Sequence, residues 1–523
     1  MSIRINWTLL TKAQRDKVKK DLTFHAKPKF LYIGGRRRAV PSKESLQGYI
    51  LLRGSVISKL NLSYTTDAEG KPVAIEPMDQ IRVPRLYGIH NFPSLVLHNI
   101  HWTSINIEFT GSLLPKQVEP VNNCLQQVIR DGASLMAFCT GFGKSVCMAY
   151  MAAYLHGFTL FLVDGTVGNT QIPETLRKFT NANIWVVGEK APSQANIVVC
   201  MNTRIDKIPI EYMAKFTTVF IDEAHCWLTQ KRYSILQRLE PRYLILATST
   251  PRDQYGLWPA LQTYVGENSV VEIFDRPFNV YIYHTGVKVE KVQGKRGTDW
   301  ARLVTDLTNS EERNRLILKL VRENIENDYK ILILTWREPH AEYLTKEINK
   351  MDIPASKFTG KTKTYSDANC IIGTIAKINK AFDEQTMCPD FAGIRINLVM
   401  LVGSTKNDTL LEQMVGRGFR AECPNIIHLV DNIDTIKRHL YSIYPWYKDS
   451  RRRASIYEIH IDKPEKNKLV QGDSNNSSFR STIQNTNSSS YSSSSSSSSG
   501  LDKQLHNISS YILNAASSSN SNF

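Results

Sequence analysis

Short apolar runs separated by amphipathic stretches recur along most of this chain. Thr159–Val163, Ile197–Cys200, Thr218–Ile221 and Tyr243–Ala247 are almost wholly apolar and too short for helices, so they predict buried strands. Between such runs, Cys124–Arg130 and Pro173–Phe179 space their apolar residues as one face of a helix. Buried strands that alternate with helices imply a parallel sheet covered on both faces. The rhythm returns at Lys330–Leu334, Cys370–Gly373, Leu398–Val402 and Ile426–Val430. The pattern therefore predicts an α/β protein with two tandem parallel-sheet domains, residues 111–275 and 276–460. Residues 1–110, with QIRVPRLYGI at 80–89, predict a small α+β accessory domain. Near Val470 the pattern stops: 21 of the 53 residues from Gln471 to Phe523 are Ser, unbroken from Ser492 to Ser499. Such a segment cannot bury enough apolar surface to offset its ordering entropy, so 471–523 reads as a disordered tail.

Composition adds a partner. Lys and Arg number 65 against 49 Asp and Glu, a formal charge of +16, which suits a polyanion such as nucleic acid or an acidic membrane surface. Residues 1–40 hold eleven of these cations against Asp16 and Asp21. Within them, Arg36, Arg37 and Arg38 are either a backbone contact or a local basic patch. The stretch KRHLYSIYPWYKDSRRR (437–453) is likewise either a base-stacking and phosphate-binding segment or an amphipathic helix with a solvated charge run. No apolar run approaches the ~18 residues of a membrane span, and the first twenty residues lack an apolar signal core. The eight cysteines form no C-x-x-C and no zinc spacing with His. Scattered single thiols fit a reduced, intracellular protein, and of the two polyanions nucleic acid, not a membrane, is the partner expected.

The sharpest chemical signal is FCTGFGKS, Phe138–Ser145, between the apolar stretch Ser134–Ala137 and the helical run VCMAYMAAYL. Strand, glycine loop and helix are the context of a phosphate-binding loop. Gly141 and Gly143 let backbone N–H groups approach phosphate oxygens, and the helix N-terminus adds positive potential. Thr140 and Phe142 complete the loop. Lys144 is placed for the β/γ-phosphates of ATP and Ser145 for Mg²⁺. Phe138 stands where the general pattern has Gly. Downstream, VFIDEAH (219–225) is an apolar strand ending in two carboxylates. Asp222 is placed to hold Mg²⁺, and Glu223 to orient and deprotonate the attacking water.

These residues resemble superfamily 2 helicases and translocases with a DEAH-form acidic box, over roughly 113–432. LLPKQ (113–117) looks like the adenine-reading segment, with Gln117 as the base contact. LATSTP (246–251) resembles motif III, with Thr248 and Thr250 in their usual positions and Ser249 where Ala is usual. ILILTWREPHAEYL (331–344) resembles motif IV. GTIAKINKAFDE (373–384) resembles motif V, which implies Thr374 on the nucleic-acid side and Asp383 near the nucleotide. EQMVGRGFR (412–420) matches Q-x-x-G-R-x-x-R with Gln413, Arg417 and Arg420. The resemblance implies two RecA-like domains, with these arginines aimed at the γ-phosphate. In DGTVGNTQ (164–171) only Gln171 matches the family, so a strand contact by Thr166 is one of two open readings. VCMNTR (199–204) is either a further backbone-contacting segment or an ordinary strand end.

The motif series, with NSEERNRLI (309–317) and TGKTK (359–363), is similar to helicases of large DNA viruses, including the poxviral transcript-release helicase and the phage UvsW-like kind. It implies an ATP-dependent enzyme that remodels branched DNA or transcription complexes, with viral transcription or replication machinery as partner. Its place would be a virion or a host-cell cytoplasmic replication site. An RNA helicase, the motor subunit of a restriction-type complex and an inactive nucleic-acid-binding scaffold are the rivals.

Overall fold

The computed structural model describes residues 2–471 except 28, 34–35, 41, 43–44, 53–63, 67–70, 75–77, 99–101, 193, 250, 252–255, 275, 290–292, 295–296, 361, 381, 383 and 422–423. Side chains at 29–33, 36–40, 64–66, 72, 166–167, 210–211, 293–294, 297–298 and 379–380 are also not described. The Ser-rich segment beyond Gln471, Thr250 and Asp383 thus lie outside the described residues, as do the side chains of Arg36–Arg38 and Thr166.

The chain divides into two compact units, one ending at Glu272 and the other starting at Ile273. The first unit begins with a four-stranded antiparallel sheet in the order Val96–Leu97, Ser2–Asn6, Gln80–Pro84, Ile50–Leu52. The apolar segment QIRVP forms the strand Gln80–Pro84, and Arg85–Asn91 continues it as a helix. Ile3, Ile5, Val18, Leu22, Ile81 and Val83 close a small core over this sheet. This is the α+β region expected at the N-terminus.

The rest of the first unit is a seven-stranded sheet with every pairing parallel. Its spatial order is Ile184–Val186, Ile197–Met201, Thr159–Val163, Thr218–Ile221, Tyr243–Thr248, Ala133–Phe138, Ser269–Glu272. The central strands are buried end to end, which is why they read as continuous apolar runs rather than alternating ones. Each Leu, Ile or Phe removed from water there contributes roughly 1.5–3 kcal/mol before ordering costs. Ala137 stands opposite Thr248, and Ile221 opposite both Leu246 and Leu162. The register thereby brings the C-terminal ends of three adjacent strands, those ending at Phe138, Thr248 and Ile221, to one edge of the sheet. Ligands of α/β proteins bind at that edge.

The second unit repeats the plan with eight strands, in the order Ala355–Phe358, Cys370–Thr374, Ile331–Thr335, Leu398–Leu401, Asn425–Val430, Phe278–His284, Ala454–His460, Lys468–Gln471. All pairings are parallel except the last. The two sheets are the tandem RecA-like architecture expected. Phe278–His284 and Ala454–His460 were not among the strands expected, because Tyr, His and Glu break their apolar runs. The second sheet also extends past residue 460, to Gln471. No disulfide joins the described cysteines. Among the described residues, no helix is long and apolar enough to cross a membrane.

Candidate active site

The strand Ala133–Phe138 runs into the glycine loop, and the helix Lys144–Tyr154 starts directly after it. Gly141 and Gly143 take φ of +84° and +94°, a region costly for any residue with a Cβ. A Cβ on Gly143 would also lie 2.5 Å from Gln117 Nε2. Phe138 explains its own departure from the family pattern. Its ring is buried and packs on Phe142 at 4.6 Å between centroids, and its carbonyl accepts a 3.1 Å hydrogen bond from Lys144 Nζ. The lysine is thereby held back over the loop whose phosphate it would meet.

Gln117 is buried against the same loop. Its Nε2 donates to Phe142 O at 2.7 Å, and its Oε1 accepts from Leu114 N at 2.9 Å. A carboxamide has two donors and two lone pairs. One of each is left over for a base, while the others brace the loop.

The acidic pair leaves the next strand but one. Asp222 N–H donates to Leu162 O, and Trp227 Nε1 donates to Asp222 O, so the backbone is pinned on both sides. The Asp222 carboxyl is pushed up from the ordinary 3.8 to about 7, first by burial and then by the charge of Glu223, with Lys144 opposing. A carboxylate in this state is short of cations, and a divalent ion beside Ser145 fits the shortfall. Glu223 takes φ +46°, a left-handed conformation unusual for Glu. Its Oε2 is buried with no hydrogen-bond partner, 3.4 Å from His225 Nδ1. Burial lowers the His225 pKa, so this contact is not an ion pair at neutral pH. His225 Nδ1 instead lies 3.0 Å from Thr248 Oγ1, which ties the acidic box to the motif III strand. Sequence reading assigned no role to His225. Its place in the DEAH string was the available signal, but the bond depends on sheet order.

At the segments with two readings, Asp164 accepts from Asn202 Nδ2 at 2.8 Å and pairs with Arg232 at 3.0 Å. Arg204 donates to Val187 O at 3.0 Å. The helix Gly165–Phe179 carries Thr166 in its first turn.

In the second unit, Thr374 ends the strand Cys370–Thr374 and is buried. Gln413 lies on the helix Asp408–Val415, and Arg420 closes the short turn Gly418–Arg420. Arg417 donates from Nη1 to Phe382 O at 2.9 Å, which joins motif VI to motif V. Glu412, beside Gln413, is buried and accepts from Trp446 Nε1 and from Arg452 Nη2, both at 3.0 Å. Arg452 also stacks over Trp446, 4.2 Å from the ring centroid. Leu440, Ile443, Trp446 and Tyr447 are thus the buried face of the amphipathic helix Asp434–Lys448, and Trp446 and Arg452 brace motif VI. Tyr441 alone of its large rings is strongly exposed, at 71 %.

A glycine loop, an acidic pair and a threonine lie at the ends of three adjacent parallel strands, an arrangement that suits nucleotide hydrolysis, and the second unit carries the arginine motif on a sheet of the same kind. The family profile described as "Type III restriction enzyme, res subunit" matches residues 110–253. The chain is 25 % identical to a helicase-named protein, 161L, of Invertebrate iridescent virus 6 over 400 residues, 70 % of this chain and 85 % of that one. It is 23 % identical over 426 residues to L396 of Acanthamoeba polyphaga mimivirus, named as an ATP-dependent RNA helicase; the match covers 77 % of this chain and 80 % of that one. A fragment of an HsdR-type subunit of a type I restriction enzyme from Vibrio vulnificus aligns over 86 % of this chain and 98 % of its own, at 14 % identity and a TM-score of 0.48. The chain thus resembles ATP-dependent helicases, and these two viral relatives are helicase-named proteins of large DNA viruses.

Proposed function

We propose that this protein couples ATP hydrolysis to remodelling of DNA, either branched DNA or transcription complexes. The observation that carries the hydrolytic half is the pair Asp222 and Glu223, held beside Lys144 in a state that a bound nucleotide and its metal would relieve. Lys144 neutralises β/γ-phosphate charge, and the loop N–H groups with the helix N-terminus orient the chain of phosphates. Glu223 takes the proton of the attacking water through its unpartnered oxygen. Mg²⁺, when bound, screens the phosphate oxygens, and Ser145 and Asp222 are the residues that would hold it. Gln413, Arg417 and Arg420 are assigned to the γ-phosphate, Gln117 and Asp383 to the nucleotide, and Thr166 and Thr374 to the nucleic-acid strand.

DNA is favoured by the likeness to large-DNA-virus helicases, while the +16 formal charge suits either nucleic acid. RNA is the second reading, since a relative of comparable length carries an RNA-helicase name. Steady-state ATPase with single-stranded DNA, duplex DNA, forked DNA and RNA as separate activators decides between them. Strongest stimulation by forked or duplex DNA is expected. Strongest stimulation by RNA replaces DNA with RNA, and no stimulation by any of the four overturns the helicase reading.

A further inference from the structure

A second cluster of chemistry-bearing side chains sits in the second unit and takes no part in the motif series. Phe278–His284 and Ala454–His460 are adjacent parallel strands in register, so His284 stands directly opposite His460. Glu458 precedes His460 by two positions and therefore shares its face. The two imidazoles lie face to face at 4.2 Å and 8°. One ligand atom from each of His284, Glu458 and His460 lies within 4.8 Å of the other two. His284 Nε2 is buried without a hydrogen-bond partner. The cluster opens into a cavity of about 750 Å³ at the C-terminal end of both strands, also lined by Tyr441, Lys437 and Asp462.

We propose that His284, His460 and Glu458 form a binding site for a transition-metal ion of the Zn²⁺ type. Two imidazoles and a carboxylate are a donor set that zinc takes, with a fourth position left to water or a further carboxylate. Tetrahedral ligation at about 2.0–2.2 Å sets ligand atoms about 3.4 Å apart, so the two imidazoles, which now lie parallel, must turn out of their stack to converge on one ion. Nitrogen donors select Zn²⁺, Co²⁺, Ni²⁺ or Cu²⁺ over Mg²⁺ and Ca²⁺, which separates this site from the nucleotide's metal.

The surroundings agree. His284 Nε2 is buried with no hydrogen-bond partner, so that ring has an acceptor atom to give. Glu458 accepts from the Tyr444 hydroxyl on Oε1 at 2.7 Å and faces Lys468 with Oε2 at 3.2 Å, so a cation would take the place of Lys468. The groups that compete with a cation are Lys437, Lys463, Lys466 and Lys468, all of which line the cavity. Lys437 is already engaged by Asn432. Lys468 pairs with Glu458 at 3.2 Å, yet its side chain is 60 % exposed and free to swing out. The site joins two strands 176 positions apart (460 − 284). An ion there would clip the first strand of this unit to its seventh in space and close a long loop.

The test is titration of the full chain with Zn²⁺ by calorimetry and with Co²⁺ by its visible ligand-field absorption, both in excess Mg²⁺. One equivalent is expected to bind, giving a Co²⁺ spectrum typical of nitrogen and oxygen ligation. The unfolding midpoint should rise by roughly 5–10 °C at a hundredfold excess over Kd. His284→Ala and His460→Ala should each abolish the spectrum. Lys468→Ala, an exposed change that leaves all three ligands in place, should tighten binding several-fold by freeing Glu458. Absence of the Co²⁺ spectrum in the wild-type chain overturns the proposal. So does its persistence in folded His284→Ala, or a Kd unmoved by Lys468→Ala.

Discussion

Glu240 and Asp222 are carboxylates of the same unit, and their surroundings drive them in opposite directions. Glu240 is buried, with Arg4 Nε at 3.0 Å on one oxygen and Arg82 Nε at 2.6 Å on the other. Burial raises its pKa, but the two guanidiniums more than offset that and hold it below the usual range. Asp222 is also opposed by burial and has a repelling neighbour in Glu223, and Lys144, the Glu223 backbone N–H and His225 compensate only in part. The first is a completed structural joint between the N-terminal sheet and the parallel sheet. The second is left short of positive charge, and Glu223 beside it is short of a hydrogen bond and strained in its backbone. A group that must grip a ligand cannot be satisfied before the ligand arrives, so the incomplete cluster is the candidate site of the chemistry.

This contrast breaks most sharply in turnover. Arg420→Ala is expected to slow ATP hydrolysis by roughly 10³–10⁵, and Glu223→Gln by roughly 10²–10⁴. Both should leave the unfolding midpoint near that of the wild type. Nucleic-acid affinity with and without a non-hydrolysable ATP analogue separates them. Glu223→Gln should respond strongly and Arg420→Ala little; a like response in both contradicts the assigned roles. Lys144→Ala should also abolish hydrolysis, and turnover within about threefold of wild type would remove the phosphate loop from the mechanism.

Glu240→Ala should do the reverse. It leaves Arg4 and Arg82 buried without their carboxylate, at a cost of about 3–5 kcal/mol in chemical denaturation. Turnover per folded molecule should stay near wild type. A stability loss below ~1 kcal/mol would show that the joint is dispensable.

The pH dependence sharpens the same comparison with opposite signs. Between 3.8 and about 7, folded Asp222 holds a proton that the unfolded chain has released, so its contribution makes stability fall as pH rises. Asp222→Asn should remove that slope and leave the nucleotide-free protein no less stable at pH 7–8. Folded Glu240 releases its proton more readily than the unfolded chain. Its contribution is present at neutral pH and is lost as pH falls through its folded value. Glu240→Gln should therefore flatten the acid limb. Midpoints measured from pH 4 to 8 check both.

The smallest expected effect concerns the basic N-terminus. Removing residues 1–40 would delete the strand Ser2–Asn6 and Arg4, so charge is better tested by side chain. Changing Arg36, Arg37 and Arg38 together to Ala should lower the slope of log affinity against log salt by up to about 3. An unchanged slope assigns those arginines to a local patch.

The chemical motifs were legible because each is local. FCTGFGKS specifies its strand, turn and helix within eight residues, and VFIDEAH needs only a buried strand and its end. The parallel sheets were legible for a similar reason, since strands buried on both faces leave unbroken apolar runs. Strands such as Phe278–His284 were not, because their polar residues are explained by neighbours in space. Arg4 and Glu240 are 236 positions apart. Arg313, inside the NSEERNRLI segment, bonds both oxygens of Asp431, 118 positions away. Nothing local distinguishes these from solvated charges. What the sequence determined by itself was the candidate set of groups for nucleotide hydrolysis and the alternation that folds them into α/β units. Tertiary structure alone decided which charges are satisfied and which stay incomplete, because the cost of burying a charge depends on partners that only sheet order and register bring within reach.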